Sequence, residues 1–252
     1  MKLGRKIDFV FLSIIVVAVA FASCVNSGKE RKLIVDSDGW SVLFDGESFD
    51  GWRGYGRNDM PTAWTIEDGA IKINGANRGE AGAVDGGDII FDRKFKDFEL
   101  TFEWKVSKGA NSGVFYLVQE IEGKPIWKSS PEYQILDNAN HRDAKRGVNN
   151  NRQSASLYDL IPAVPQNSNP FGEWNSGGIV VYKGTVTHSQ NGEDVLTYNL
   201  WTDQWKEMVE KGKFKDCEHF INAGGKNLEG YIGLQDHGDD VWFRNIKVKE
   251  LN

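Results

Sequence analysis

From Trp40 onward the apolar positions fall in short runs cut by Gly, Asn and Asp. In the clearest run, "DFELTFEWKVS", Phe98, Leu100, Phe102, Trp104 and Val106 alternate with Glu99, Thr101, Glu103 and Lys105. A period of two with one polar face predicts an antiparallel strand lying on a core. Alternation or a short apolar run predicts further strands at "WSVLF", "WTIEDGAIKI", "DIIF", "GVFYLVQ", "YQIL", "GIVVYKGTVTHS", "VLTYNLW", "YIGLQ" and "VWFRNIKVKEL". Asp68-Gly69 and Asn191-Gly192 carry the signature of two-residue hairpin turns. One stretch, "DQWKEMVEKGKF", has helical spacing: Trp205, Met208 and Val209 share a face, and Gly212 can end the helix. Many short strands, frequent turn signals and no βαβ rhythm predict an all-β fold. The expected architecture is a two-sheet antiparallel jelly-roll sandwich with one short helix.

One segment breaks the rhythm. Residues 137–175 are long, polar and rich in Asn and Pro. Loops of this length in a compact domain are usually functional or disordered. Tyr158, Leu160, Ile161, Phe171 and Trp174 are spaced along it and are expected to pin it to the body as the wall of a site.

The first 24 residues have a different texture. Lys2, Arg5 and Lys6 precede a mostly apolar run from Phe9 to Ala22, and "FASC" ends at Cys24. A run of this length suits a signal peptide and is short for a membrane span. The whole resembles a bacterial lipoprotein signal, with Cys24 as the lipidated residue, 25–38 as a tether and 39–252 as the folded domain. Anchoring would then be through lipid alone. Cys217 is left without a disulfide partner and is expected to be a small buried residue. "VNSGKERK" after Cys24 lacks an acidic export run. The expectation is an exported lipoprotein of the bacterial envelope, facing the periplasm.

Composition narrows the function without naming it. Of 252 residues, 40% are hydrophobic and 26% charged, and the net charge is −6. No basic stripe points to nucleic acid, and no Walker or dinucleotide glycine pattern is present. The nine Trp suit either sheet packing or saccharide stacking.

Candidate chemistry gathers in two places. On the strand that starts at Pro131, Glu132, Gln134 and Leu136 face one way, with Tyr133, Ile135 and Asp137 opposite. An apolar Tyr/Ile face packs inward, so Glu132 and Gln134 lie either in a groove or on a solvated edge. In "YIGLQDHGDD", Gln235 continues the polar face, and Asp236-His237-Gly238 forms a turn with His237 at its rim. His141, Asn111, Trp174 and Asn175 flank these segments. They are either site residues or ordinary turn and loop residues. His188, on the strand running into Asn191-Gly192, reads as structural.

Taken in order, "LFDGESFDGW", "ANSGVFY", "EYQILDN", "GEWNSGGIVVYKGTVTHSQNG" and "GYIGLQDHGDDVWFRNIKVKEL" resemble the 3-keto-disaccharide hydrolase family over about residues 39–251. The resemblance implies a concanavalin A-like jelly roll and an unusual glycoside cleavage. A separate sugar 3-dehydrogenase would first supply a ketone. A base then removes the C2 proton, the C1 substituent is expelled, and water adds back. Glu132, Asp137, His141 and His237 are the titratable groups in matching motifs. His237 is expected as base or acid, Glu132 as a second acid/base group or a metal ligand, and Asp137 as an orienting group. Asn111, Gln134, Asn175 and Gln235, with Tyr158, would bind substrate, and Trp174 would stack on the sugar ring. A divalent metal on Glu132, Asp137 and a histidine is conceivable, but no compact ligand motif supports it. The rival reading is a lectin-like lipoprotein without chemistry. An ordinary glucanase ranks last, because no ExDxxE carboxylate run is present.

Overall fold

The computed structural model describes residue 33, residues 35–76 and residues 78–252. The expected signal segment with Cys24, and most of the expected tether, lie outside the described residues. The strands in chain order are β1 (Ser41–Val42), β2 (Trp52–Gly54), β3 (Trp64–Glu67), β4 (Ala70–Ile73), β5 (Ile89–Phe95), β6 (Phe98–Val106) and β7 (Asn111–Val118). They continue with β8 (Glu132–Leu136), β9 (Asn175–Tyr182), β10 (Thr185–Gln190), β11 (Glu193–Asn199), β12 (Gly230–Leu234) and β13 (Val241–Glu250). One sheet runs β11-β10-β9-β6-β13-β4-β3, with β1 also paired to β13, and the second runs β2-β5-β12-β7-β8. The pairing is antiparallel throughout, as the alternation predicts.

The core lies between the sheets. Phe98, Leu100, Phe102, Trp104 and Val106 of β6 point into it and are almost fully buried. Tyr133 and Ile135 of β8 and Ile232 and Leu234 of β12 face them from the other sheet. The Phe102 and Tyr133 rings meet edge to face at 5.2 Å. His188 is buried here. Its Nδ1 lies 2.9 Å from the Ala155 carbonyl and its Nε2 2.8 Å from the Tyr116 hydroxyl. The carbonyl can only accept, so Nδ1 carries the proton and Tyr116 donates to Nε2. Burial pushes this imidazole down to about 4, so it is a neutral packing group.

The expected hairpins form. Asp68 and Gly69 have φ of 51° and 73°, and Asn191 and Gly192 have 48° and 85°, the left-handed pair that two-residue turns require. Lys183-Gly184 makes a third such turn, which splits the apolar run "GIVVYKGTVTHS" into β9 and β10. β2 was not expected; its three residues sit among glycines, and Trp52 anchors it against Phe91 at 5.6 Å.

Helix α1 (Asp203–Lys211) covers the expected stretch, with Thr202 accepting the Trp205 amide N–H at its start. A second short helix, α2 (Glu218–Ile221), follows. Trp205 stacks on Tyr198 and Phe220, each at 5.6 Å, and Phe214 stacks on Phe220 at 4.1 Å. This aromatic column holds the connection between the helices rigidly against the body. Cys217 is buried within it, with a free thiol.

The long loop doubles as a sheet edge. Gln134 N–H donates to the Ser156 carbonyl, Ala155 N–H to the Gln134 carbonyl, and Tyr158 N–H to the Glu132 carbonyl. The loop thereby covers the free edge of β8, which would otherwise expose a row of unpaired backbone groups. Tyr158, Leu160 and Ile161 pack on the core as expected. Phe171 does not; it is 42% exposed. The loop is held there by its backbone instead, through Gly172 N–H to the Val106 carbonyl.

Candidate active site

Tyr133 and Ile135 point into the core, so the alternating residues Glu132 and Gln134 stand on the outward face of the five-stranded sheet. They line a cleft of about 670 Å³, together with Asn111, Gln235 and His237 from neighbouring segments and Tyr158 from the long loop. Segments far apart in sequence meet here because β8, β7 and β12 are adjacent strands.

Gly113 makes room for Glu132. It lies opposite Gln134 on the neighbouring strand, and a Cβ placed on it would stand 2.5 Å from Glu132 Oε1. With glycine there, the Glu132 side chain folds down over β7 and is 5% exposed. Burial pushes its carboxyl up to about 8; Lys213 opposes the rise, while Asp88 and Asp143 add to it. Asp88 is likewise pushed up by burial, to about 7. It accepts the Asp236 N–H at 3.0 Å and interacts electrostatically with both Glu132 and His237.

The turn Asp236-His237-Gly238 is a locked bracket. The Asp236 carboxylate accepts N–H groups from Ala83 at 3.0 Å, Gly87 at 2.7 Å and Gly238 at 2.8 Å. Gly238 has φ of 78°, and a Cβ on it would meet the Gly79 carbonyl at 2.2 Å. Asp and Gly are therefore the structural members of the turn, and His237 is the residue presented. Its Nδ1 is buried without a hydrogen-bond partner, 3.8 Å from Asp239 Oδ2. Among the described residues, His141, His237 and Asp239 bring ligating atoms within 4.8 Å of one another. The His141 and His237 rings meet edge to face at 6.0 Å. Burial lowers the His141 pKa.

Three expected site residues lie elsewhere. Asp137 spends its carboxylate on Gly109 N–H, Ala139 N–H and the Asn140 amide. Its carbonyl accepts the His141 N–H, so it shapes the turn that delivers His141. With its carboxylate spent on these N–H groups, Asp137 is not brought together with Glu132 and a histidine among the described residues, the grouping that the sequence left open for a metal. Asn175 is 2% exposed and clamps the loop through Asn169 N–H and the Asn191 amide. Trp174 lies on the outward face of the other sheet, under the Arg244 guanidinium at 3.9 Å and Lys105 at 5.0 Å. The tryptophan in the cleft is Trp127, beside Phe214 at 6.4 Å.

Asp88, Asp143, Arg146, Arg152, Lys213 and Asp239 complete the charged surroundings, and sequence reasoning did not single them out. Asp143 gathers the Tyr158 hydroxyl at 3.1 Å and the Arg146 and Arg152 guanidinia at 3.5 and 3.8 Å. Asp143 sits two residues past His141, and Asp239 two past His237. Proximity to the histidines was the one signal that could have found them.

The chain matches the family described as the 3-keto-alpha-glucoside-1,2-lyase-like domain over residues 39–249. A 3-keto-disaccharide hydrolase from Bacteroides thetaiotaomicron is 57% identical over 253 residues, covering 94% of this chain and 87% of that protein. The crystal structure of a candidate glycosyl hydrolase from Parabacteroides distasonis is 27% identical, with a TM-score of 0.74 over 88% of this chain and 100% of that one. A second from the same organism, at 24% identity and a TM-score of 0.64 over 84% and 99%, shares the fold. The chain thus belongs to the 3-keto-alpha-glucoside-1,2-lyase-like family and is a glycoside-cleaving enzyme of the hydrolase or lyase type.

Proposed function

We propose that this enzyme cleaves 3-keto-glycosides, 3-keto-disaccharides among them, by elimination followed by hydration. One observation carries the reading: Glu132, buried on the sheet face where burial pushes its carboxyl up to about 8, shares a cleft with His237, held on a turn clamped by Asp236. An ordinary glycosidase sets two carboxylates across the anomeric bond. A neutral acid and an imidazole suit a different division of labour.

A ketone at C3 acidifies the C2 proton. His237 removes it; Asp239 near Nδ1 favours the tautomer that leaves Nε2 free to accept. The electron pair forms the enolate, which collapses back to the ketone as the C1–O bond breaks. Glu132 gives its proton to the departing oxygen. Water then adds at C1 and a proton returns to C2, with the two groups exchanging roles. Asn111 and Gln235 each bury an amide oxygen that has no hydrogen-bond partner, and these suit sugar hydroxyl donors. Trp127 offers a ring face for the sugar in place of Trp174. The 3-keto substrate must come from an oxidoreductase acting on the 3-hydroxyl, a separate 3-dehydrogenase. Export as a lipoprotein through Cys24, facing the periplasm, would place the enzyme on the envelope.

A divalent cation at His141, His237 and Asp239 is a second reading, favoured by the 4.8 Å convergence. It would act as a Lewis acid and make His237 a ligand. Against it, His141 Nδ1 accepts the Asp143 N–H at 3.1 Å, which leaves the proton on Nε2. A ligating histidine instead donates from its second nitrogen.

A chromogenic 3-keto-glucoside should release its aglycone at least ~1000-fold faster than the unoxidised glucoside, a barrier difference of ~4 kcal/mol. Equal rates would remove the elimination mechanism. Chelator should leave the rate unchanged, whereas loss restored by added metal would support the second reading. Glu132→Gln should lower kcat on the 3-keto substrate by ~10²–10⁴.

The same carboxyl sets a pH dependence of stability. Its folded value, about 8, lies above the ordinary 4.5. The neutral form stabilises the fold fully below the ordinary value, and that contribution is lost as pH rises through about 8. Glu132→Gln has no proton to lose. Thermal melts from pH 4.5 to 8 should show the variant gaining on the wild type as pH rises; a constant difference would mean that Glu132 is not buried as an acid.

For the anchor, Cys24→Ala should move the protein from the membrane fraction to the soluble fraction. Retention in the membrane fraction would rule out lipid on Cys24.

A further inference from the structure

Three cationic side chains line the wall of the cleft: Arg146, Arg152 and Lys213. Two are committed to carboxylates. Arg152 Nε donates to Asp159 while its NH1 stands 3.8 Å from Asp143, and Arg146 is 3.5 Å from Asp143. Lys213 has no carboxylate within ion-pair distance among the described residues. Its Nζ stands 3.4 Å from the Tyr158 hydroxyl, whose own proton goes to Asp143 at 3.1 Å. The same Nζ lies 4.6 Å from the Tyr158 ring centroid and 5.5 Å from that of Trp127.

The backbone sets this place. Lys213 precedes Phe214, which is buried and stacked on Phe220, so the root of the side chain is fixed. Aromatic faces then hold the ammonium without neutralising it. Lys213 lines the cleft and is exposed. A sugar ring seated on Trp127 would cover it and strengthen its field.

We propose that Lys213, seated on Tyr158, is a catalytic residue whose ammonium pairs with the 3-oxygen of the substrate as that oxygen becomes an enolate. The proposal rests on the 3-keto reading of the site. When the C2–H bond breaks, the proton goes to His237 and its electron pair becomes the C2–C3 double bond. The carbonyl π electrons move onto the 3-oxygen. Loss of the C1–O bond reverses that flow, forming C1–C2 unsaturation and restoring the ketone, while Glu132 protonates the leaving oxygen. Lys213 neither gives nor takes a proton. It meets a charge that exists only between the two bond changes, so its pairing acts on the barrier more than on binding. Addition of water to the enone passes through the same enolate, so one cation serves both halves.

The test separates enolate formation from cleavage. A 3-keto-1,5-anhydroglucitol has the ketone and the C2 proton but no exocyclic C1 substituent to expel. Wild-type enzyme in D2O should exchange that proton for deuterium, read by proton NMR. In Lys213→Met, exchange on this analogue and kcat on a 3-keto-glucoside should both fall by ~10²–10³, with KM changed by less than about threefold. Lys213→Arg should recover part of both rates. Wild-type exchange in Lys213→Met would overturn the proposal while leaving the 3-keto reading intact. If the wild type neither exchanges the proton nor cleaves the 3-keto-glucoside, the 3-keto reading fails and Lys213 loses its role with it.

Discussion

Glu132 is an acidic side chain laid flat against a β-sheet, out of water, and the rest of the site follows from it. A carboxylate in that position would carry a large desolvation penalty, so the group keeps its proton. Gly113 makes the position sterically available, and the loop that covers the β8 edge helps to make it dry. A neutral acid that shares a cleft with an imidazole can donate to a leaving group while the imidazole takes a proton elsewhere on the substrate. That is the chemistry of an elimination next to a ketone, and it differs from the paired carboxylates of displacement at an anomeric carbon.

The two sheets divide the work. The larger one, with β6 and β13 at its centre, supplies the apolar face and fixes the sandwich. The smaller one turns its inner face to that core and its outer face to the cleft, so its strands alternate between packing and chemistry. Loops bring the remaining groups, and each is held by a polar clamp. Asp236 gathers backbone N–H groups to set His237, and Asp137 does the same for the turn carrying His141. The aromatic column of Trp205, Phe220 and Phe214 sets the wall that carries Lys213.

The fold was legible because a half-buried antiparallel strand writes its geometry into every second residue. β6 and the Asp-Gly and Asn-Gly turns could be read directly. β8 revealed Glu132 and Gln134 by the same rule, since an inward Tyr133 and Ile135 leave only one direction for their neighbours. Alternation says nothing about residues in loops, however. Trp174 and Trp127 both precede strands with polar character, and only the path of the chain shows that they lie on opposite faces of the sandwich. Asp137 and Asn175 have the right side chains for a site but spend them on backbone groups nearby. Lys213 follows the Gly212 that ends the predicted helix, and Asp88 opens the predicted strand "DIIF"; local pattern places neither at a site, and tertiary packing alone brings them to the cleft.

The central claim is that Glu132 is a carboxylic acid, and not a carboxylate, at neutral pH. The direct measurement is carbon-13 NMR titration of protein labelled at glutamate Cδ, with Glu132→Gln identifying the signal. A Glu132 resonance that keeps its acid shift at pH 7 and titrates near 8 is the expected result. A resonance that titrates near the ordinary 4.5 would contradict the account.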